Sequence, residues 1–122
     1  MAKPGEQPIE VIMAQIREDD TFTQVVRFDV AADKQLALID AIAAEVERWV
    51  RYRQGFVSST FHASLDGTHV INYAQWTSKA AFEGFTHDPE TAHLQKAITD
   101  VDPSLKPHAI HCRVIRSISP AP

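Results

Sequence analysis

The residue pattern predicts an α+β fold. It is a ferredoxin-like βαββαβ unit, an antiparallel sheet with its helices on one face. Three observations carry this: a period-two strand at residues 22–30, an amphipathic helix after it, and an Asp-Gly hairpin feeding a second helix and a last strand. Both helices fall on one side of such a sheet. The other face is left to be covered, so the expected assembly is a homodimer whose two sheets face each other in a dimeric α+β barrel.

The chain has 122 residues, 44% of them hydrophobic and 23% charged, which suits one globular core. Residues 1–20, with Pro4, Pro8 and scattered charge, read as an extended arm with room for a short strand at 9–13. Residues 21–119 read as the single domain. In the first strand Phe22, Gln24, Val26, Phe28 and Val30 share one face, and Thr23, Val25, Arg27 and Asp29 the other. Asp33 is placed to cap a helix over 34–53, whose stripe is Ile39, Ile42, Val46 and Trp49; Gly55 stops it.

Two strand-like runs follow, 56–64 and 69–76, joined around Asp66-Gly67. A two-residue loop sets His62 opposite Ile71, and a three-residue loop sets His62 opposite Asn72 and Ser58 opposite Trp76. Since a one-residue slip exchanges faces, the register decides which side chains share a site. Thr77 or Ser78 caps a short helix through Phe82, and Asp88-Pro89 opens the next, through Leu94, Ile98 and Val101. Residues 108–118 alternate as a last strand.

The net charge of −4, from 12 basic and 16 acidic residues, argues against a nucleic-acid partner. No run reaches the ~20 apolar residues of a membrane span. The N-terminal stretch lacks the apolar core of a signal peptide, and Cys112 is the one cysteine. The expectation is a soluble, cytoplasmic protein with no membrane partner. His108, His111 and Cys112 do not form a metal site, because residues three apart on a strand point to opposite sides. His87 and His93 do not converge across their helix start. No glycine-rich phosphate loop or nucleophile elbow is present. The unusual region is the hairpin, where His62, Asn72, Tyr73, Gln75 and Trp76 put polar and aromatic side chains into central strands. They form either a paired structural network or a pocket with a few convergent polar groups.

The segments Gly55-Phe56-Val57, Phe61-His62-Ala63-Ser64, Asp66-Gly67-Thr68, residues 70–76 (Val-Ile-Asn-Tyr-Ala-Gln-Trp) and Asp88-Pro89 resemble the antibiotic biosynthesis monooxygenases. Within that family they are most similar to the small anthrone oxygenases of aromatic polyketide pathways, such as actinorhodin biosynthesis. The resemblance implies an enzyme that oxidises a phenolic or anthrone-like ring to a quinone with molecular oxygen, with no cofactor and no metal. It implies Asn72 and Trp76 as the catalytic pair and His62 as a pocket histidine, which favours the three-residue register. Phe61, Tyr73, Phe82, Gln95 and His93 are the substrate-binding candidates. Phe82 stands where relatives carry Tyr, and Gln95 where they carry Arg; His93, Tyr73 or Arg113 could substitute. These departures keep open a non-catalytic aromatic-ligand-binding dimer. A haem-degrading oxygenase is the other alternative, and it needs His87 or His93 as axial ligand.

Overall fold

The computed structural model describes residues 21–122, so the expected arm and its short strand lie outside the described residues. The elements are β1 (Phe22–Asp29), α1 (Gln35–Arg48), β2 (Phe56–Ala63), β3 (His69–Trp76), α2 (Lys79–Thr86), α3 (Thr91–Val101) and β4 (His108–Arg113). The strands form one antiparallel sheet in the order β2-β3-β1-β4. This is the ferredoxin-like arrangement, with β1 and β3 central.

The alternation in β1 is as read. Val26 and Phe28 turn to the helices and pack with Val70, Leu38, Ile42 and Leu105 in the main core. A second cluster joins Trp49, Val50, Trp76 and Phe82. No helix among the described residues is long and apolar enough to cross a membrane.

Local chemistry moves several boundaries. Asp33 does not cap α1; it lies inside a 3-10 turn, Ala32–Lys34. Helix α1 ends at Arg48, and a second 3-10 turn, Val50–Tyr52, carries the chain on. Gly55 sits at φ 83°, and a side chain there would overlap the Ala81 methyl, so only glycine fits. Ser78 caps α2 by accepting the Ala81 N–H at 3.1 Å, and α2 runs past Gly84 to Thr86. Asp88 accepts the Glu90 N–H at 2.9 Å, but α3 proper begins at Thr91. β4 ends at Arg113, short of the expected 118.

The hairpin corrects the register that the family resemblance favours. His62 pairs with Ile71 and Phe61 with Asn72, the alignment of the two-residue loop. Asp66 Oδ1 accepts from the Ser64 hydroxyl (2.7 Å), the Thr68 N–H (3.0 Å) and the Thr68 hydroxyl (2.7 Å), locking the turn. The Gln35 amide bridges both flanks, donating to the carbonyls of Ser64 and His69 at 3.0 and 2.8 Å. A β-bulge between Phe56 and Ser58 then sets Phe56, not Ser58, opposite Trp76.

Candidate active site

Between the helix-facing side of the sheet and the helices lies a cavity of about 310 Å³, within the usual range for small-molecule sites. The sheet supplies its floor: Gln24 and Val26 of β1, Phe56 and Ser59 of β2, and Asn72, Ala74 and Trp76 of β3. Ile42 and Val46 of α1 form one wall; Leu94, Gln95 and Ile98 of α3 form the other. Phe85 closes the end beside Trp76.

Trp76, 2% exposed, is held in an aromatic stack. Its ring lies over Phe85 at 5.1 Å between centroids and meets Phe56 edge-on at 5.5 Å. Phe82 packs behind it at 6.4 Å. The indole N–H bonds to no described residue. Among the described residues no buried side-chain N or O lacks a partner, so this N–H is not sealed off, and the residue that carries it lines the cavity.

Asn72 faces the same space. Its Nδ2 donates to Ser59 Oγ at 2.7 Å and, more distantly, toward the Thr60 carbonyl at 3.5 Å. The Thr60 carbonyl can only accept, which favours the amide nitrogen on that side; the Ser59 hydroxyl pairs with either end of an amide.

The predicted site residues divide. Asn72, Trp76 and Gln95 line one cavity. His62 does not. Pairing with Ile71 puts it on the opposite face of the sheet, so the expected convergence of His62, Asn72 and Trp76 fails for the histidine. Tyr73 goes with it, one residue from Asn72 and therefore outward. Phe61 shares the helix face but packs into the main core rather than lining the cavity. Phe82 backs the indole without reaching the space. His93 is exposed on α3, and His87 is tied through Nδ1 to the Glu83 carbonyl at 2.8 Å; neither lines the cavity, so neither is set as an axial ligand to a group bound there. Arg113, paired with Phe22 at the sheet edge, does not line it either.

Sequence reasoning missed Gln24, Ser59, Phe56 and Phe85. Gln24 was detectable as the polar break in an apolar period-two face. Ser59 becomes visible once the register is known, for it then stands opposite Ala74, diagonal to Asn72.

No described residue lining the cavity is ionisable: its polar groups are amides, hydroxyls and one indole. The charged pairs lie outside. Arg48 bonds Glu45 and Glu90 at 3.0 and 2.9 Å, and Arg53 bonds Asp88 at 2.6 Å. The Arg48 guanidinium holds Glu45 below the usual carboxylate range, and Arg53 does the same for Asp88. These pairs tie the end of α1 to the turn before α3. His108 and His111 sit on opposite faces of β4, and among the described residues no group of three His, Cys, Asp or Glu could hold a metal ion.

A ferredoxin-like sheet roofed by helices over a largely apolar cavity with a few neutral polar groups defines a class: small α+β domains with a small-molecule-sized hollow between sheet and helices. The comparisons make it specific. The profile of the antibiotic biosynthesis monooxygenases matches residues 21–97, and the chain belongs to that family. It shares 40% identity over 101 residues with tetracenomycin-F1 monooxygenase of Streptomyces glaucescens, across 83% of this chain and 78% of that one. A monooxygenase encoded by ActVA-Orf6 of Streptomyces coelicolor, solved with nanaomycin D, superposes with a TM-score of 0.75 at 37% identity. That match covers 82% of this chain and 92% of the other. SnoaB of Streptomyces nogalater, described as a cofactor-independent oxygenase, shares the fold at 24% identity and a TM-score of 0.64, over 84% and 100% of the two chains. The chain is an enzyme, a monooxygenase.

Proposed function

We propose that this enzyme oxidises a phenolic, anthrone-like polycyclic intermediate to a quinone with molecular oxygen and no cofactor. The supporting observation is the cavity itself, apolar and aromatic, with Asn72 and Trp76 facing in and no ionisable side chain among its described lining. Kinship with the tetracenomycin-F1 and ActVA-Orf6 monooxygenases points to the same substrate class.

The chemistry needs little from the protein. Triplet oxygen reacts slowly with closed-shell molecules until one electron moves, and an anthrone that has lost its C–H proton can give that electron. The proton leaves to water at the rim, beside Thr86, Thr91 and Gln95. The Trp76 N–H donates to the oxygen on which the negative charge settles, and the dry wall strengthens that bond. Each pKa unit by which the anion is favoured is worth about 1.4 kcal/mol. Electron transfer leaves a substrate radical and superoxide; they join through a C–O bond, and the peroxide takes up the proton. Loss of water then leaves the carbonyl: a CH2 and O2 enter, and C=O and H2O leave.

The outward face of the sheet divides. Thr23 and Gln75 are buried and share a hydrogen bond of 3.2 Å, whereas Ile110 is 65% exposed. A second copy seated there completes a barrel, and we assign the enzyme to the cytoplasm as that homodimer. Incubating metal-free protein with emodin anthrone or tetracenomycin F1 under air tests the activity. Quinone absorbance and oxygen uptake above the uncatalysed rate are expected; saturable binding without oxygen uptake would instead support the ligand-binding alternative.

A further inference from the structure

We infer that Ser59 is a positioning residue: it anchors the Asn72 amide at 2.7 Å while the Thr60 carbonyl, which can only accept, sets its polarity, so that the amide oxygen and not its N–H meets the substrate. The inference rests on the oxygenase reading above and extends it to the polarity of the site. Ser59 lies on β2 opposite Ala74, so its side chain stands diagonal to Asn72 on the helix face, and both line the cavity. Both hydrogen-bonding contacts of the Asn72 side chain leave from Nδ2, to Ser59 Oγ at 2.7 Å and toward the Thr60 carbonyl at 3.5 Å. Oδ1 bonds to no described residue, and among the described residues no buried side-chain N or O lacks a partner, so this acceptor stays open on a residue that lines the cavity.

Trp76 lies four residues along the same strand and faces the same way, with only an N–H to offer. At the ordinary strand rise the two Cα atoms stand about 13 Å apart. One end of the site therefore accepts a hydrogen bond and the other donates one. The substrate this suits is a flat fused-ring molecule with a hydroxyl at the Asn72 end and a carbonyl or enolate oxygen at the Trp76 end. Without Ser59 the amide keeps only the distant 3.5 Å contact to the Thr60 carbonyl, so its oxygen is held less firmly toward the substrate.

The test is a double-mutant cycle on Ser59 and Asn72 with the emodin anthrone assay. Ser59→Ala is expected to lower kcat about five- to tenfold, the effect of one neutral hydrogen bond. Ser59→Thr keeps the oxygen and is expected within about twofold of the parent, whereas in an Asn72→Ala background Ser59→Ala costs less than about twofold. A full additional loss in that background, or equal damage from Thr and Ala, overturns the inference. Side-chain NMR gives a second readout that needs no turnover. Ser59→Ala should move the Asn72 Nδ2 proton pair toward its free-chain position while the Asn72 backbone amide stays in place. If the parent oxidises nothing but shows this shift, the oxygenase reading fails and the positioning stands. If the parent's Asn72 pair already sits at the free-chain position, the positioning fails.

Discussion

Replacing Trp76 with phenylalanine removes one donor from the cavity and keeps most of its aromatic wall. The indole is 2% exposed, stacked on Phe85 at 5.1 Å and edge-on to Phe56 at 5.5 Å. A smaller ring loses some of this packing, and about 1–2 kcal/mol of stability is expected to go with it. The catalytic loss is larger. A hydrogen bond to a developing anion is worth about 2–3 kcal/mol, so kcat should fall about 30- to 150-fold. Trp49→Phe is the control. Trp49 is 3% exposed and stacks on Phe85 at 5.6 Å, but its N–H is committed to Glu45 at 3.3 Å and it does not line the cavity. It should lose similar stability by thermal melting while keeping kcat within about twofold. Steady-state oxygen uptake and melting curves on both variants separate the two effects. Equal kcat in the two variants, with equal falls in Tm, would refute the donor role.

Three further outcomes are expected. The pH dependence of kcat/KM should show one rising limb that follows the acidity of each substrate; a common midpoint near the ordinary histidine value of about 6.5 for substrates of different acidity would point to an enzyme base. Asp66 is held down to about 2 from 3.8, first by the Ser64 hydroxyl and then by Thr68. Because the folded state lowers this pKa, its contribution is complete above pH 3.8 and is lost as pH falls toward 2, so Asp66→Asn should show a shallower fall in Tm across that window than the parent. Parallel curves would count against the turn's role. Ile110→Asp puts a charge on the exposed face of β4 and should convert a sedimenting dimer to monomer; an unchanged sedimentation coefficient would remove this face from the interface.

The element order was legible because it rests on local signals. Period-two alternation set β1 and its faces, the 3.6-residue stripe set α1, and the Thr77-Ser78 pair marked the start of α2, with Ser78 the cap that forms. Asn72 and Trp76 were also legible as partners, since residues four apart on a strand share a face whatever the register. His62 was not. Its face depends on how β2 aligns with β3, and the Asp-Gly turn alone allowed two alignments.

What decided between them lies far along the chain. The Gln35 amide, on a helix 29 residues before Ser64 in sequence, bonds both ends of the turn, and Asp66 closes it from within. The same holds for the cavity. Gln24, Ser59 and Phe85 come from three separate elements, and only the packed sheet and helices bring them beside Trp76. Alternation and periodicity are properties of neighbours, so the sequence by itself determined the elements and the inward strand residues. Strand alignment and the emptiness of a pocket depend on contacts between distant segments, and only the tertiary structure decided those.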